Sequence, residues 1–319
     1  MKQITLAAVA FVASASFAQA ATVNGFTSFI ALGDSLSDDG KLPALPLPSL
    51  DGRFTNGLTF AEQLAMDFED EGLATDNLAV GGATAGDVNT NPITLTPFAP
   101  IATFSGQVAA LGGALLGGAG AVLGNNPLVS VLFGANDLFQ NLGTPDIGQQ
   151  AALDVEAGIR AVGALDPRLD DFLLINLPNI GMAPAFMGGP FEALASAETI
   201  AFNDQLTLSA EALRDDGFNV IEFDLDAFFV TAQAELGLEL GPCRASFSIP
   251  GPSCADSGLF DVDTLFFADS VHPTAVVHAA AANAIRNALP EIPLPAGMPL
   301  LLTGIALYGL ASRRNRSRV

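Results

Sequence analysis

Five short β-type runs alternate with longer stretches of helical character, and this alternation constrains the fold more than any other feature of the chain. The runs occupy residues 29–32, 75–80, 128–133, 172–177 and 219–223. Helical spacing or helix-favouring composition marks residues 59–68, 104–123, 147–165, 192–213, 227–236 and 273–289. Strands that alternate with helices predict an α/β fold with a parallel sheet covered on both faces. Several helix boundaries are written locally. Thr59 and Glu62 have capping-box spacing, Gly217 and Gly237 suit helix ends, and Pro273 suits a first turn. The Ala- and Gly-rich stretch 104–123 reads as a buried helix packed closely through its glycines. No internal repeat or second domain stands out. In such sheets, sites form beyond the carboxyl ends of the strands.

The notable polar residues obey that rule. The first run, Phe29-Ile30-Ala31-Leu32, ends abruptly in Gly33-Asp34-Ser35, as when a buried strand delivers a hydroxyl to the edge of a sheet. A serine is a poor nucleophile until a base removes its proton during attack. Histidine is the usual base near neutral pH, and the chain has only His272 and His278. Asp269 lies three residues before His272, in the loop that precedes the last helical stretch, and can fold back onto the ring. A carboxylate placed there fixes the tautomer and stabilises the imidazolium as it forms. His278 falls inside the helix and reads as a packed or partly exposed helix residue. A tetrahedral intermediate also needs donors at its oxygen. The candidates are the Ser35 N–H, the Gly82 N–H in Gly81-Gly82-Ala83, and the Asn136 amide in Gly134-Ala135-Asn136-Asp137. Plainer readings stand beside these: Ser35 as a turn cap, Gly81 and Gly82 as packing devices, Asn136 as a turn residue. Asp34, Asp38 and Asp137 read as acids that order loops.

The segments GDSLSDDG, GGA, GAND and DSVHPT appear in the order seen in the SGNH hydrolases, also called the GDSL lipase/esterase family. The chain resembles that family from about residue 29 to residue 289. The four letters map onto Ser35, Gly82, Asn136 and His272. Gly52-Arg53-Phe54-Thr55-Asn56-Gly57 and Leu177-Pro178-Asn179-Ile180-Gly181-Met182-Ala183-Pro184 resemble two further family segments. The resemblance implies a flavodoxin-like three-layer αβα sandwich with a five-stranded parallel sheet. It also implies ester hydrolysis with neither metal nor organic cofactor. Ser35 would be the nucleophile, Asp269 and His272 its triad partners, and Ser35, Gly82 and Asn136 the oxyanion hole. Ala268 stands where relatives often carry Trp or another bulky residue, so a looser wall is expected there.

Charge narrows the partners. The 34 acidic residues outnumber 12 basic ones, and five of the basic ones, Lys2, Arg313, Arg314, Arg316 and Arg318, sit at the two ends. Such a surface repels phosphate backbones and argues against nucleic acid as a partner. No loop has EF-hand spacing, so the acids read as solvated rather than as a calcium site.

The ends read as addresses. Lys2, the apolar stretch 4–17 and Ala18-Gln19-Ala20 have the layout of a secretory signal peptide over residues 1–20. Export into an oxidising compartment would pair the only two cysteines, Cys243 and Cys254, as a disulfide, with a free thiol pair as the alternative. Ile292-Pro293-Leu294-Pro295-Ala296, an apolar run over 298–311 and the terminal arginines resemble the PEP-CTERM-like sorting tails of Gram-negative bacteria, in the VPLPA variety with Ile for the leading Val. That resemblance implies transient membrane contact through residues 291–319, then handling by sorting and processing machinery. The final location would be the periplasm, the cell surface or the medium. An ordinary C-terminal membrane anchor is the alternative. Residues 21–290 then form the hydrolase domain.

The expected activity is that of a secreted serine ester hydrolase. The apolar, Pro-rich stretch 42–50 reads as a greasy rim beside Ser35, and with the membrane address it favours acyl lipids or other lipophilic esters. Carbohydrate acetyl ester hydrolysis, acyl transfer to a lipid or sterol acceptor, and a non-catalytic surface adhesin are the alternatives.

Overall fold

Strand β1 (Ser28–Gly33) is buried along its whole length, and the sheet is built outward from it. β2 (Ala74–Asn77) pairs on one side. β3 (Pro127–Leu132), β4 (Asp171–Ile175) and β5 (Asn219–Phe223) follow on the other. Every pairing is parallel and the order is β2-β1-β3-β4-β5. This computed structural model describes residues 23–41, 51–91, 98–240 and 262–290. The expected signal peptide, the 42–50 stretch, Cys243 and Cys254, and the sorting tail all lie outside the described residues.

Helices cover both faces. On one, α7 (Ala275–Ala288) packs against α1 (Phe60–Asp70) and α6 (Leu225–Leu236). On the other, α4 (Ile147–Gly163) packs against α2 (Phe104–Leu116), α3 (Ala135–Asn141) and α5 (Glu192–Asp215). The result is the expected three-layer αβα sandwich, and the strand order is the flavodoxin-like one. β1, β3 and β4 are buried at every position, as sheets covered on both sides require. The main core centres on Phe29, Phe104, Phe133, Phe172 and Phe202. A smaller cluster of Phe266, Phe267, Ala183, Ala232 and Val277 joins it through Phe228 and Phe229.

Thr59 and Glu62 form the anticipated capping box at α1, the Glu62 carboxylate accepting the Thr59 N–H at 3.0 Å. Other expectations are corrected. The helix expected over 104–123 stops at Leu116, before Gly117-Gly118, and is buried only along Phe104, Gln107, Val108 and Leu111. Glycines hold helix poorly, and a single stripe of α2 faces the sheet, so Leu116 is 93% exposed. Regular pairing in β2 ends at Asn77, not at Val80. The Asn77 side chain takes the Ala79 N–H and donates to Ser37 O. Leu78 and Val80 nevertheless still donate to Ala31 O and Gly33 O. Pro273 lies ahead of α7, bridged to Phe267, and the side chain of Asn56 accepts the Ala275 N–H at the helix start. The short α3 carries no sequence expectation, because seven residues give too little periodicity to read.

β1 and β3 lie side by side with Gly33 opposite Leu132. Between them the strand order changes direction, so the loops that follow diverge and leave a crevice. Ser35 leaves β1 there, and Asn136 follows β3.

Candidate active site

Three loops and one hairpin-like turn converge on the crevice. The first loop begins where Gln107 of α2 grips the end of β1. The Gln107 side chain accepts the Gly33 N–H at 2.9 Å and donates to Gly33 O at 2.8 Å. The chain then turns tightly. Ser37 and Asp38 N–H both donate to Asp34 O, and Leu36 N–H to the Asp34 carboxylate. Ser35 sits in this turn, 8% exposed.

His272 is carried by a turn closed between Phe267 and Pro273, in which the Ala268 N–H donates to His272 O at 2.8 Å. Asp269 holds the turn together. Its Oδ1 accepts the Val271 and His272 N–H groups at 2.7 and 2.6 Å, and its Oδ2 lies 2.6 Å from His272 Nδ1. His272 Nε2 is 2.8 Å from Ser35 Oγ. With the ring proton on Nδ1, Nε2 is left to accept from the serine hydroxyl, which is the arrangement a base needs. The Phe54 ring packs against the imidazole, centroids 5.0 Å apart. A Cβ on Gly81 would meet Phe54 ring atoms at 2.0 Å, so only glycine lets that ring approach. Ala268 is buried within this turn and is not among the residues that line the crevice.

The three candidate donors differ in their present engagement. Among the described residues, neither the Ser35 N–H nor the Gly82 N–H donates a hydrogen bond. Gly82 has a φ of +81°, which favours glycine. The Asn136 amide donates to Ala83 O at 3.0 Å and more loosely to Asp34 Oδ2 at 3.3 Å. It reaches an added oxygen only by relaxing the longer contact. The structure therefore brings Ser35, His272 and Asp269 into direct contact, and sets Asn136 beside Asp34.

Asp34, Asp38 and Asp137 are loop-ordering acids, as expected, and the structure supplies their partners. Asp38 accepts the Gly40, Lys41 and Gly81 N–H groups. Asp137 accepts those of Ala85 and Gly86. Burial pushes the Asp34 carboxyl up to about 7 and Asp137 up to about 6, with hydrogen bonds to backbone N–H groups opposing the rise. Asp38 is likewise raised by burial. His278 is a packed helix residue. Its Nδ1 accepts the Phe60 N–H, and burial lowers its pKa to about 3.

The crevice is a narrow groove open to solvent, with a cavity volume of about 40 Å³. Ser35 and His272 both line it. Phe139, Ile180, Ala183, Phe229, Phe267 and Val271 make most of the rest apolar. Sequence reading did not find Gln107, the Phe54–His272 contact, or Phe139 and Phe229. For Phe54 and Ala183 a signal existed, since both lie in the family-like segments. For Gln107, Phe139 and Phe229 there was none, because each sits in an ordinary helix and meets the site only through folding.

The chain resembles several known proteins. The chain is 28% identical over 314 residues to Esterase EstA of Pseudomonas aeruginosa, covering 84% of this chain and 48% of the esterase. It therefore spans about half the length of that relative. It is also 28% identical over 325 residues to the phosphatidylcholine-sterol acyltransferase of Aeromonas hydrophila, covering 80% of this chain and 88% of the other. A solved carbohydrate acetylesterase from Sinorhizobium meliloti superposes with a TM-score of 0.44 at 15% identity, over 82% of this chain and 96% of that one. The sequence profile of the GDSL-like Lipase/Acylhydrolase family matches residues 29–285. With that match spanning the sheet, the serine turn and the histidine turn, the chain belongs to the GDSL-like lipase/acylhydrolase family.

Proposed function

We propose that this protein hydrolyses carboxylic esters of lipophilic acids with Ser35 as nucleophile. The observation that carries the reading is the unbroken contact Ser35 Oγ–His272 Nε2 and His272 Nδ1–Asp269 Oδ2, at 2.8 and 2.6 Å. His272 takes the serine proton as Oγ attacks the acyl carbonyl carbon. Asp269 holds the ring in the tautomer that leaves Nε2 free to accept. Negative charge gathers on the former carbonyl oxygen, and the Ser35 and Gly82 N–H groups and the Asn136 amide receive it. His272 then gives its proton to the leaving alkoxide. Water attacks the acyl-serine by the reverse path, releasing the acid and restoring the hydroxyl.

The apolar crevice favours an acyl chain over a sugar face, which would call for polar partners. Acyl transfer to an alcohol is the second reading. A relative named as an acyltransferase favours it, and so does the chemistry, because an alcohol and water attack the same acyl-serine. Export through residues 1–20, a Cys243–Cys254 disulfide, and membrane sorting through residues 291–319 belong to the same proposal.

The test is turnover of p-nitrophenyl esters from acetyl to palmitoyl, with Ser35→Ala beside the parent protein. Ser35-dependent turnover that rises beyond acetyl supports the reading. Acetyl-only turnover redirects it to acetyl ester hydrolysis. No turnover by the folded parent favours a surface-binding role. Product yields with and without a long-chain alcohol separate hydrolysis from transfer.

A further inference from the structure

The reaction proposed above needs three donors aimed at one oxygen, yet each comes from a different loop. Ser35 follows β1, Asn136 opens α3, and Gly82 lies in the irregular 81–86 segment after β2. That last segment belongs to no helix or strand, although Thr84 is bridged by backbone bonds to Ala102 and Phe104. Its backbone is held mainly by side chains, and two of these are the acids adjoining the other two loops.

Asp38, in the turn that carries Ser35, is 0% exposed, and its Oδ2 accepts the Gly81 N–H at 2.7 Å. Its Oδ1 is occupied by the Gly40 and Lys41 N–H groups at 3.0 and 2.9 Å. Asp137, next to Asn136, is 4% exposed and accepts the Ala85 N–H on Oδ2 and the Gly86 N–H on Oδ1, at 2.8 and 2.9 Å. Asn89 adds a donor to Gly82 O at 2.9 Å. The glycine that offers the free N–H is thus pinned on both flanks, by a carboxylate from the serine loop and a carboxylate from the asparagine helix. Bonds between a carboxylate and backbone N–H groups are short and strong.

We infer that Asp38 and Asp137 are positioning residues that fix the Gly82 N–H relative to Ser35 and Asn136, so that the three donors meet at one point. The inference rests on the ester-hydrolysis reading, but concerns residues that touch neither substrate nor reacting atoms.

Asp→Asn replacement is a sharp probe at both sites. It preserves size but puts an NH2 where an oxygen accepted a backbone N–H, so one of the opposed bonds becomes a donor–donor contact. The expected result for Asp137→Asn, and separately for Asp38→Asn, is a fall in kcat of roughly 10- to 100-fold with KM within about threefold of the parent, since a donor displaced by a fraction of an ångström loses much of its worth. A merely structural role would not produce the second readout. An alkylboronic acid adds reversibly to Ser35 Oγ, whose proton passes to His272, and the boron becomes a tetrahedral anion in the position of the intermediate. Its dissociation constant should rise by the same factor as kcat/KM falls.

Wild-type kcat in folded Asp137→Asn and Asp38→Asn overturns the inference. A loss of kcat without a matching loss of boronate affinity also overturns it. If both variants fail to fold, the acids hold up the fold rather than the donors, and the inference is again overturned. Ser35→Ala, run in parallel, separates the two levels. Persisting turnover in that variant defeats the ester-hydrolysis reading itself, whereas a dead Ser35→Ala with fully active Asp variants defeats the positioning role alone.

Discussion

His272 Nε2 stands 2.8 Å from Ser35 Oγ, although 237 positions separate the two residues in the chain. Both belong to tight turns closed by their own acids, Asp34 and Asp269, so the contact joins two prebuilt pieces. Ser35→Ala and His272→Ala should each lower kcat by at least about 10³-fold while leaving the far-ultraviolet circular dichroism unchanged. Full activity in either folded variant contradicts the assignment. Turnover should also fall in acid, because a protonated ring cannot accept the serine proton.

Asp269→Asn tests the orienting role. The Asn amide cannot accept from both backbone N–H groups and His272 Nδ1 as the carboxylate does. Loss of kcat of roughly 10²- to 10⁴-fold is expected, with smaller change in KM. Steady-state kinetics on a soluble p-nitrophenyl ester decide it.

Phe54 couples the glycine loop to the base. Its ring lies against His272 and fills the space over Gly81. Gly81→Ala should therefore reduce kcat by displacing that ring, and Gly81→Ala combined with Phe54→Leu should recover part of the loss. Phe54→Ala alone should destabilise the protein by about 3 kcal/mol, since the ring is 3% exposed. Urea unfolding and kcat on the three variants measure both effects.

The crevice wall sets chain length. Ala183 lines it, packed in the same cluster as Phe267 and Phe229. Ala183→Phe should abolish turnover of long-chain esters first and leave acetyl ester turnover within a few-fold of the parent. An unchanged chain-length profile would place the acyl chain elsewhere.

Stability should respond to pH through two opposed groups. The Asp34 pKa is raised to about 7 by burial, so its contribution is fully present below about pH 4 and lost as pH rises through 7. Asp34→Asn should gain stability over the parent between pH 4 and 8, by an amount on the order of 4 kcal/mol at most. The His278 pKa is lowered to about 3, so its contribution is present above about pH 6.5 and lost as pH falls toward 3. His278→Asn keeps an acceptor for the Phe60 N–H and should resist acid better than the parent, by on the order of 3 kcal/mol at pH 4. Urea midpoints from pH 4 to 8 read both slopes.

Much of the architecture is legible in short stretches. The Asp269–His272 contact is local, three residues apart, and so is the Thr59–Glu62 cap. The buried strands show as apolar runs because both faces of each are covered. The end of α2 is not legible, because a run of Ala, Gly and Leu has no amphipathic stripe to say how much of it meets the sheet. Nor does Pro273 mark the start of α7, because proline suits a first helical turn and the position just ahead of a helix equally well.

Local sequence specifies the alternation of strands with the longer helices, the turn residues at the strand ends, and the pairing of Asp269 with His272. These follow from backbone preference and near-neighbour chemistry, which act over a few residues. Folding in three dimensions is what brings Ser35 to His272, rests Phe54 on Gly81, lets Asp38 and Asp137 hold the glycine loop, and selects the phenylalanines that line the crevice. Those contacts join positions with no periodic relation along the chain. They exist because the parallel sheet brings the ends of β1, β2 and β3 to one edge, where close packing and buried hydrogen bonds leave few other arrangements.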